Sequence, residues 1–247
     1  MYEGANAIVL DLEVLNSPDD CRHCNRPQDE HMAGDACIGG PACFEKRGWK
    51  DRPALGLSIG GYYDYQVGRI IWFDEHNLEA IVSNLENRRP FMVSFNGILF
   101  DYVIMRGILR RRAEREGGLK AQEIAVLCNR FKAHCATSYD ILQEVWAVVG
   151  RNTGVSNSLD SLCKANGLGQ KTGHGAEAPR QWQQGRYADV LNYCANDIMM
   201  TKRFFELICM KRGRIMRDNG PLDIVYPMWT EASHLINRQK QEASPCP

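Results

Sequence analysis

Asp11 and Glu13 stand two residues apart in the apolar run Ala7 to Val14, Asp101 follows Phe100 soon after a second short apolar run, and Tyr193 precedes Asp197 by four positions inside a long periodic segment. Carboxylates are hard oxygen donors, which Mg²⁺ or Mn²⁺ chooses over thiolate. Two such cations about 4 Å apart can generate a hydroxide-like nucleophile, neutralise charge developing at a reacting centre and assist a leaving oxygen. The four acids suit a two-ion cage, with Asp11 the candidate to bridge both ions. Tyr193 lies one helical turn before Asp197, so both side chains can face one site. Its hydroxyl, with an ordinary pKa of about 10, suits orienting a water better than acting as a strong base. Each residue alone also has a plain reading: Asp-x-Glu pairs end strands by chance, Asp101 is an acid favoured at a helix N-terminus, Asp197 is a solvated helix residue and Tyr193 is core.

The elements that must position these residues follow from periodicity. Ala7 to Val14 suits a buried strand that presents two carboxylates on one face at its end. LGLSIGGYYDY and GRIIWF predict two antiparallel strands with a turn near Val67 and Gly68. Leu78, Ile81, Val82 and Leu85 predict an amphipathic helix over Asn77 to Asn87, Phe91 to Phe95 a buried strand, and Asp101 to Arg115 a helix that turns strongly basic. Helices are further expected over Ala121 to Phe131, Tyr139 to Val149, Ser158 to Asn166 with Ser158 as N-cap, Tyr187 to Arg212, and Trp229 to Arg238. The Gly-rich stretch from Gly167 to Pro179 is expected to be a loop.

Three acidic motifs in this order, D-x-E at Asp11 and Glu13, N-x-x-x-F-D at Asn96, Phe100 and Asp101, and Y-x-x-x-D at Tyr193 and Asp197, resemble the DEDD exonuclease superfamily. The likeness runs from Ala7 to about Leu207 apart from one insertion, and is greatest to the proofreading domains of family-B DNA polymerases and their free-standing relatives. SLDSLCKANGLGQKTG also looks like the segment before the third motif in those proteins. Tyr193 fits the tyrosine subclass (DEDDy), whereas Asn192 stands where the histidine subclass needs His. The resemblance implies an α/β ribonuclease H-like fold, a central mixed β-sheet flanked by helices. It implies that Glu13 and Asp197 complete the ion site holding the attacking water, that Asp101 supports the second ion, and that Asn96 and Phe100 sit beside the terminal nucleotide, although Phe100 suits the core equally well.

Residues 16–52 change character, being rich in Cys, Gly, Pro and charge, and form a Cys-rich, zinc-knuckle-like insertion immediately after the first strand. A structureless stretch of this length in a compact domain needs something to tie it down. Cys21, Cys24, Cys37 and Cys43 give C-x2-C and C-x5-C, which would hold one tetrahedral Zn²⁺. His23 or His31 is an alternative fourth ligand, and free thiols or an iron–sulfur cluster are the alternatives to zinc. A zinc deaminase is excluded because no H-x-E precedes the C-x2-C.

Lys+Arg and Asp+Glu balance at 30 each, so any surface that grips phosphates must be local. The candidates are Arg110 and Arg111 within the basic run Arg106 to Arg115, together with Lys171 and His174 in the Gly-rich loop; a solvated charged face is the alternative. The opening residues carry no basic leader and their apolar run is cut by acids, so a cytoplasmic protein without a membrane span is expected. One domain over 1–247, with a C-terminal helical extension over 214–247, suits this length. The expected activity is 3′–5′ hydrolysis of single-stranded DNA or RNA ends with two Mg²⁺ or Mn²⁺ and one structural Zn²⁺, with any replication or repair partner supplied in trans. A catalytically weak nucleic-acid docking module on the same fold, and a ribonuclease H-like endonuclease, are the other readings.

Overall fold

The computed structural model describes residues 4–21, 23–24, 48, 52–171, 173 and 175–227. Cys37 and Cys43, expected as zinc ligands, His31, expected as an alternative ligand, the loop residue His174 and the helix expected over Trp229 to Arg238 lie outside the described residues. The core is a five-stranded sheet in the order β3-β2-β1-β4-β5, formed by β1 (Ala7–Glu13), β2 (Ile59–Asp64), β3 (Arg69–Phe73), β4 (Phe91–Ser94) and β5 (Tyr139–Asp140). β2 runs antiparallel to both β1 and β3, while β4 runs parallel to both β1 and β5. This mixed sheet flanked by helices fits a ribonuclease H-like fold.

Alternation along β1 divides the interior in two. Ile8, Leu10, Leu12 and Val14 belong to one core cluster, with α1 (Leu78–Arg88), α2 (Asp101–Glu116) and α3 (Gly118–Cys135). Ala7 and Val9 belong to the other, with residues of α4 (Ile141–Val149), α5 (Leu159–Ala165) and α7 (Tyr187–Met210). Asp11 and Glu13 continue the second face, so the acids end a row whose start is apolar.

Helix α7 lies along this row. Ring centroids of Phe205 and Phe91 stand 6.2 Å apart beside the start of β1, and Cys194 reaches Asp11 near its end. Gly61 is the register partner of Asp11, and a Cβ there would stand 2.8 Å from the Trp72 ring and 2.9 Å from Ile198 of α7. The missing side chain is what lets the helix come down onto the strand.

Several expected boundaries moved. The helix expected from Tyr139 begins at Ile141, because Tyr139–Asp140 pairs with β4 and Asp140 caps the helix with its carboxylate on the N–H groups of Leu142 and Gln143. Ser158 caps α5 as expected, accepting from Ser161 N at 3.1 Å. Helix α3 runs longer than Ala121 to Phe131, and a short helix α6 (Ala178–Gln183) overlaps the end of the expected Gly-rich loop. Residues 214–223, expected to open a helical extension, form a hairpin of β6 (Arg214–Arg217) and β7 (Gly220–Asp223) in which Ile215 is buried. The ends of the insertion are tied together, Asn16 N to Leu55 O at 2.8 Å and Gly48 N to Pro18 O at 2.7 Å.

Candidate active site

Three elements converge on the end of β1. The strand itself carries Asp11 and Glu13 on one face. Asp101 occupies the first turn of α2, where the backbone N–H groups of Asp101 and Leu12 act on its buried carboxylate. Asp197 enters from α7 together with Tyr193 and Cys194, all three buried.

A further acid fixes the approach to Asp101. The Asp140 carboxylate accepts from Asn96 N and Ile98 N, both at 2.9 Å, as well as capping α4. Asn96 adopts the left-handed conformation at φ 69°, one that asparagine tolerates better than most side chains. Asp140 thus ties the turn leading into α2 to the neighbouring strand.

Lys171 closes the other side. Its ammonium pairs with Asp197 Oδ2 and donates to the Tyr193 hydroxyl at 3.1 Å, while its backbone N–H donates to Asp160 Oδ1 at 2.7 Å. A Cβ on Gly175 would stand 3.3 Å from that hydroxyl, so the loop bearing Lys171 lies close over Tyr193.

The electrostatics are those of acids held together without enough countercharge. Burial, then repulsion from Asp101, Asp197 and Glu13, raises Asp11 well above the usual carboxylate range, and burial with the charge of Asp197 does the same to Glu13. Burial is the largest cause pushing Asp101 up to about 7, with the charge of Asp140 adding to it and the two backbone N–H groups opposing it. Asp197 is raised by burial despite the Lys171 ammonium beside it. Burial and the nearby Asp197 raise the Tyr193 phenol, and for Lys171 the ion pair with Asp197 outweighs burial and holds the ammonium above the usual lysine range. One oxygen of this group, Asp197 Oδ1, is buried without a hydrogen-bond partner. Hard oxygen donors, mutual repulsion and an orphaned carboxylate oxygen are what a divalent-cation site needs.

The sequence-selected residues are therefore distributed unevenly. Asp11, Glu13, Asp101, Tyr193, Asp197 and Lys171 come together. Asn96 and Phe100 lie in the turn that leads into Asp101, Phe100 half-buried against the larger core. Arg110 is exposed roughly two and a half turns along α2 from Asp101, and Arg111 donates to Pro53 O at 2.6 Å. Cys21 is buried and Cys24 half-buried at the start of the insertion. Sequence reasoning missed two residues. Cys194 carried a readable signal, because it lies three residues before Asp197 on the same helix. Asp140 carried only its suitability as an N-cap, which says nothing of its bonds to Asn96 and Ile98.

The chain matches no curated protein and no solved structure. Residues 69–221 match the model of a protein family, a span that takes in Asp101, Lys171, Tyr193 and Asp197. Asp11 and Glu13 precede that span and join it through the pairing of β1 with β2 and β4. The chain belongs to this family, described as a predicted 3′-5′ exonuclease related to the exonuclease domain of PolB.

Proposed function

We propose that the chain is a metal-dependent 3′–5′ exonuclease of the tyrosine subclass (DEDDy), hydrolysing phosphodiester bonds at single-stranded DNA or RNA ends. The observation that carries this reading is the convergence of three buried acids, Glu13, Asp101 and Asp197, on the half-buried Asp11, with Asp197 Oδ1 left unpartnered. Asp11, Glu13, Asp101 and Asp197 would hold two Mg²⁺ or Mn²⁺ ions, which when bound supply an activated water and neutralise charge developing on the phosphate. Tyr193 orients that water through its hydroxyl. Lys171 holds the tyrosine and Asp197 in mutual position and brings a positive charge to the place where phosphate oxygens become more negative. Asp140 and the Asn96 turn set Asp101 and the pocket for the terminal nucleotide.

The Lys171–Asp197 ion pair is also the one observation that favours a catalytically weak docking module, since an internal cation already meets part of the acidic charge. Digestion of end-labelled DNA and RNA strands with Mg²⁺ or Mn²⁺ separates the two. Exonuclease action predicts stepwise shortening from the 3′ end, abolished by EDTA and by Asp11→Ala. Tyr193→Phe should slow turnover by about 10²-fold, the low end of what a positioned proton-handling group contributes. Intact strands with the wild-type protein under all these conditions would leave the docking module standing.

For the insertion we propose the structural zinc of Cys21, Cys24, Cys37 and Cys43, on the ligand chemistry alone. Elemental analysis should find about one zinc per chain, lost in the Cys21→Ser/Cys24→Ser double variant.

A further inference from the structure

Cys194 places a sulfur inside the acid cluster. Its Sγ is buried 3.9 Å from the Asp11 carbonyl oxygen and 4.0 Å from Asp11 Oδ2. The sulfur and one carboxylate oxygen each from Asp11 and Glu13 all lie within 4.8 Å of one another. A second observation points to a ligand at the same place. Asp197, 4% exposed and one turn further along α7, keeps Oδ1 without a hydrogen-bond partner.

This donor set is mixed in softness. Mg²⁺ and Mn²⁺ take carboxylate oxygen and have little use for sulfur, whereas Zn²⁺ and Cd²⁺ bind thiolate strongly. Around one tetrahedral zinc, bonds of about 2.3 Å to sulfur and about 2.0–2.2 Å to oxygen set the donors roughly 3.4–3.6 Å apart. Closing from 4.8 Å to that spacing is a movement of about an ångström, within reach of small χ rotations in Asp11 and Glu13.

We propose that Cys194 gives the acid cluster a second, inhibitory binding mode, in which one thiophilic divalent cation is captured by Cys194 Sγ, Asp11 and Glu13, with water completing its coordination. On capture the S–H bond breaks, its proton passes to water, and a metal–thiolate bond takes its place; no electron is transferred. The ion then occupies the carboxylates that Mg²⁺ or Mn²⁺ require. This inference rests on the exonuclease reading for its inhibitory consequence, but not for the binding itself.

Cd²⁺ is the probe, because a cadmium–thiolate bond adds ultraviolet charge-transfer absorption that carboxylates do not. The other cysteines bind cadmium too, so the quantity read is the difference between wild type and Cys194→Ala. Wild type should show one additional Cd²⁺ equivalent and the absorption of one additional thiolate. Cys194→Ser, which preserves side-chain size, should lack both, and Asp11→Asn should weaken both. In strand digestion with Mn²⁺, Cys194→Ala should need at least tenfold more Zn²⁺ for half-inhibition, measured against that variant's own uninhibited rate. Equal cadmium stoichiometry and absorption in folded wild-type, Cys194→Ala and Cys194→Ser proteins would overturn the inference whatever the nuclease activity. A Cys194-dependent cadmium band in a protein that digests no strand would instead uphold the site and sink the exonuclease reading.

Discussion

Glu13 and Glu86 are both buried glutamates, 6% and 1% exposed, and their surroundings treat them in opposite ways. Burial pushes Glu86 up, but its hydrogen bond from His134, the charge of His134 and that of Arg89 more than reverse this, so it lies below the usual carboxylate range. The distances are 2.9 Å to His134 Nδ1 and 2.8 Å to Arg89, and His134 Nε2 reaches Pro90 O at 2.8 Å. Both imidazole nitrogens thus face acceptors, and the cluster locks α1 to α3. Burial and the charges of Asp197 and Asp101 raise Glu13 instead, with the Lys171 ammonium as the countercharge acting on it. A buried acid whose partners satisfy it is structure; buried acids that repel one another await a ligand the chain does not itself supply.

The sharpest way to break this contrast is to neutralise one acid from each cluster. Asp101→Asn should abolish metal-dependent hydrolysis while raising the melting temperature of the metal-free protein, by roughly 2–4 °C for each kcal/mol of relieved repulsion. The pH dependence follows from the direction of the shift. Asp101 ionises at 3.8 ordinarily and at about 7 when folded, so its contribution to stability is full below pH 3.8 and is lost as pH rises towards 7. Thermal melts of wild type and variant without metal should therefore coincide in acid and separate by pH 7. Convergence at every pH would mean that Asp101 is satisfied in the folded protein.

Glu86→Ala should do the reverse, lowering stability without touching the acid cluster at the end of β1. Removing one partner of a buried ion pair costs about 3–5 kcal/mol, and the low end applies here because Arg89 and Arg130 are partly exposed. The stabilisation from Glu86 is present above its ordinary value of 4.5 and is lost as pH falls through the lowered folded value. Denaturant melts at neutral and acid pH check both statements. A variant as stable as wild type at neutral pH would remove the contrast between the clusters.

How legible these two sites were in the sequence differs for a physical reason. Asp11 with Glu13, and Tyr193 with Asp197, are set by the periods of strand and helix, so spacing alone put each pair on one face. The strand order follows less directly, but the switch from two-residue to helical periodicity after Phe73 and again after Phe91 to Phe95 marked the α/β alternation. Lys171 and Asp140 were not legible in their roles, because each acts through contacts with residues 26 and 44 positions away in the chain. Glu86 and His134, 48 residues apart, looked like ordinary polar positions on two helices for the same reason. The short β5 was hidden because two residues carry no period, and the hairpin at 214–223 because a buried Ile215 and a turn can follow a helix without a helical signal.

Gly61 offers a smaller perturbation that acts on the acid cluster through packing alone. In Gly61→Ala the new methyl meets Trp72 and Ile198 below 3.0 Å, so α7 or the Trp72 ring must give way. Overpacking of this kind costs roughly 1–3 kcal/mol. If α7 yields, Asp197 and Cys194 move away from Asp11, and Mn²⁺ affinity should fall together with turnover. Lost stability with unchanged Mn²⁺ affinity would show that Trp72 moves and that the glycine serves the sheet alone.

The smallest effect is expected from Asp140→Asn, which keeps one side-chain oxygen and replaces the other with an amide nitrogen that cannot accept from a backbone N–H. Asparagine caps helices about as well as aspartate, so α4 should keep its start. With the capping oxygen, which Asn96 N shares, kept, the hydrogen bond from Ile98 N to the other oxygen is lost, at a net cost of about 1 kcal/mol. The variant also removes a negative charge that helps to raise Asp101. Asp101 then ionises at lower pH, and the rise of metal-dependent hydrolysis with pH should shift towards acid even as the displaced turn lowers the maximal rate. A purely structural role for Asp140 would lower stability and leave that pH profile in place, so a profile unmoved in a folded Asp140→Asn protein would confine this residue to holding the fold.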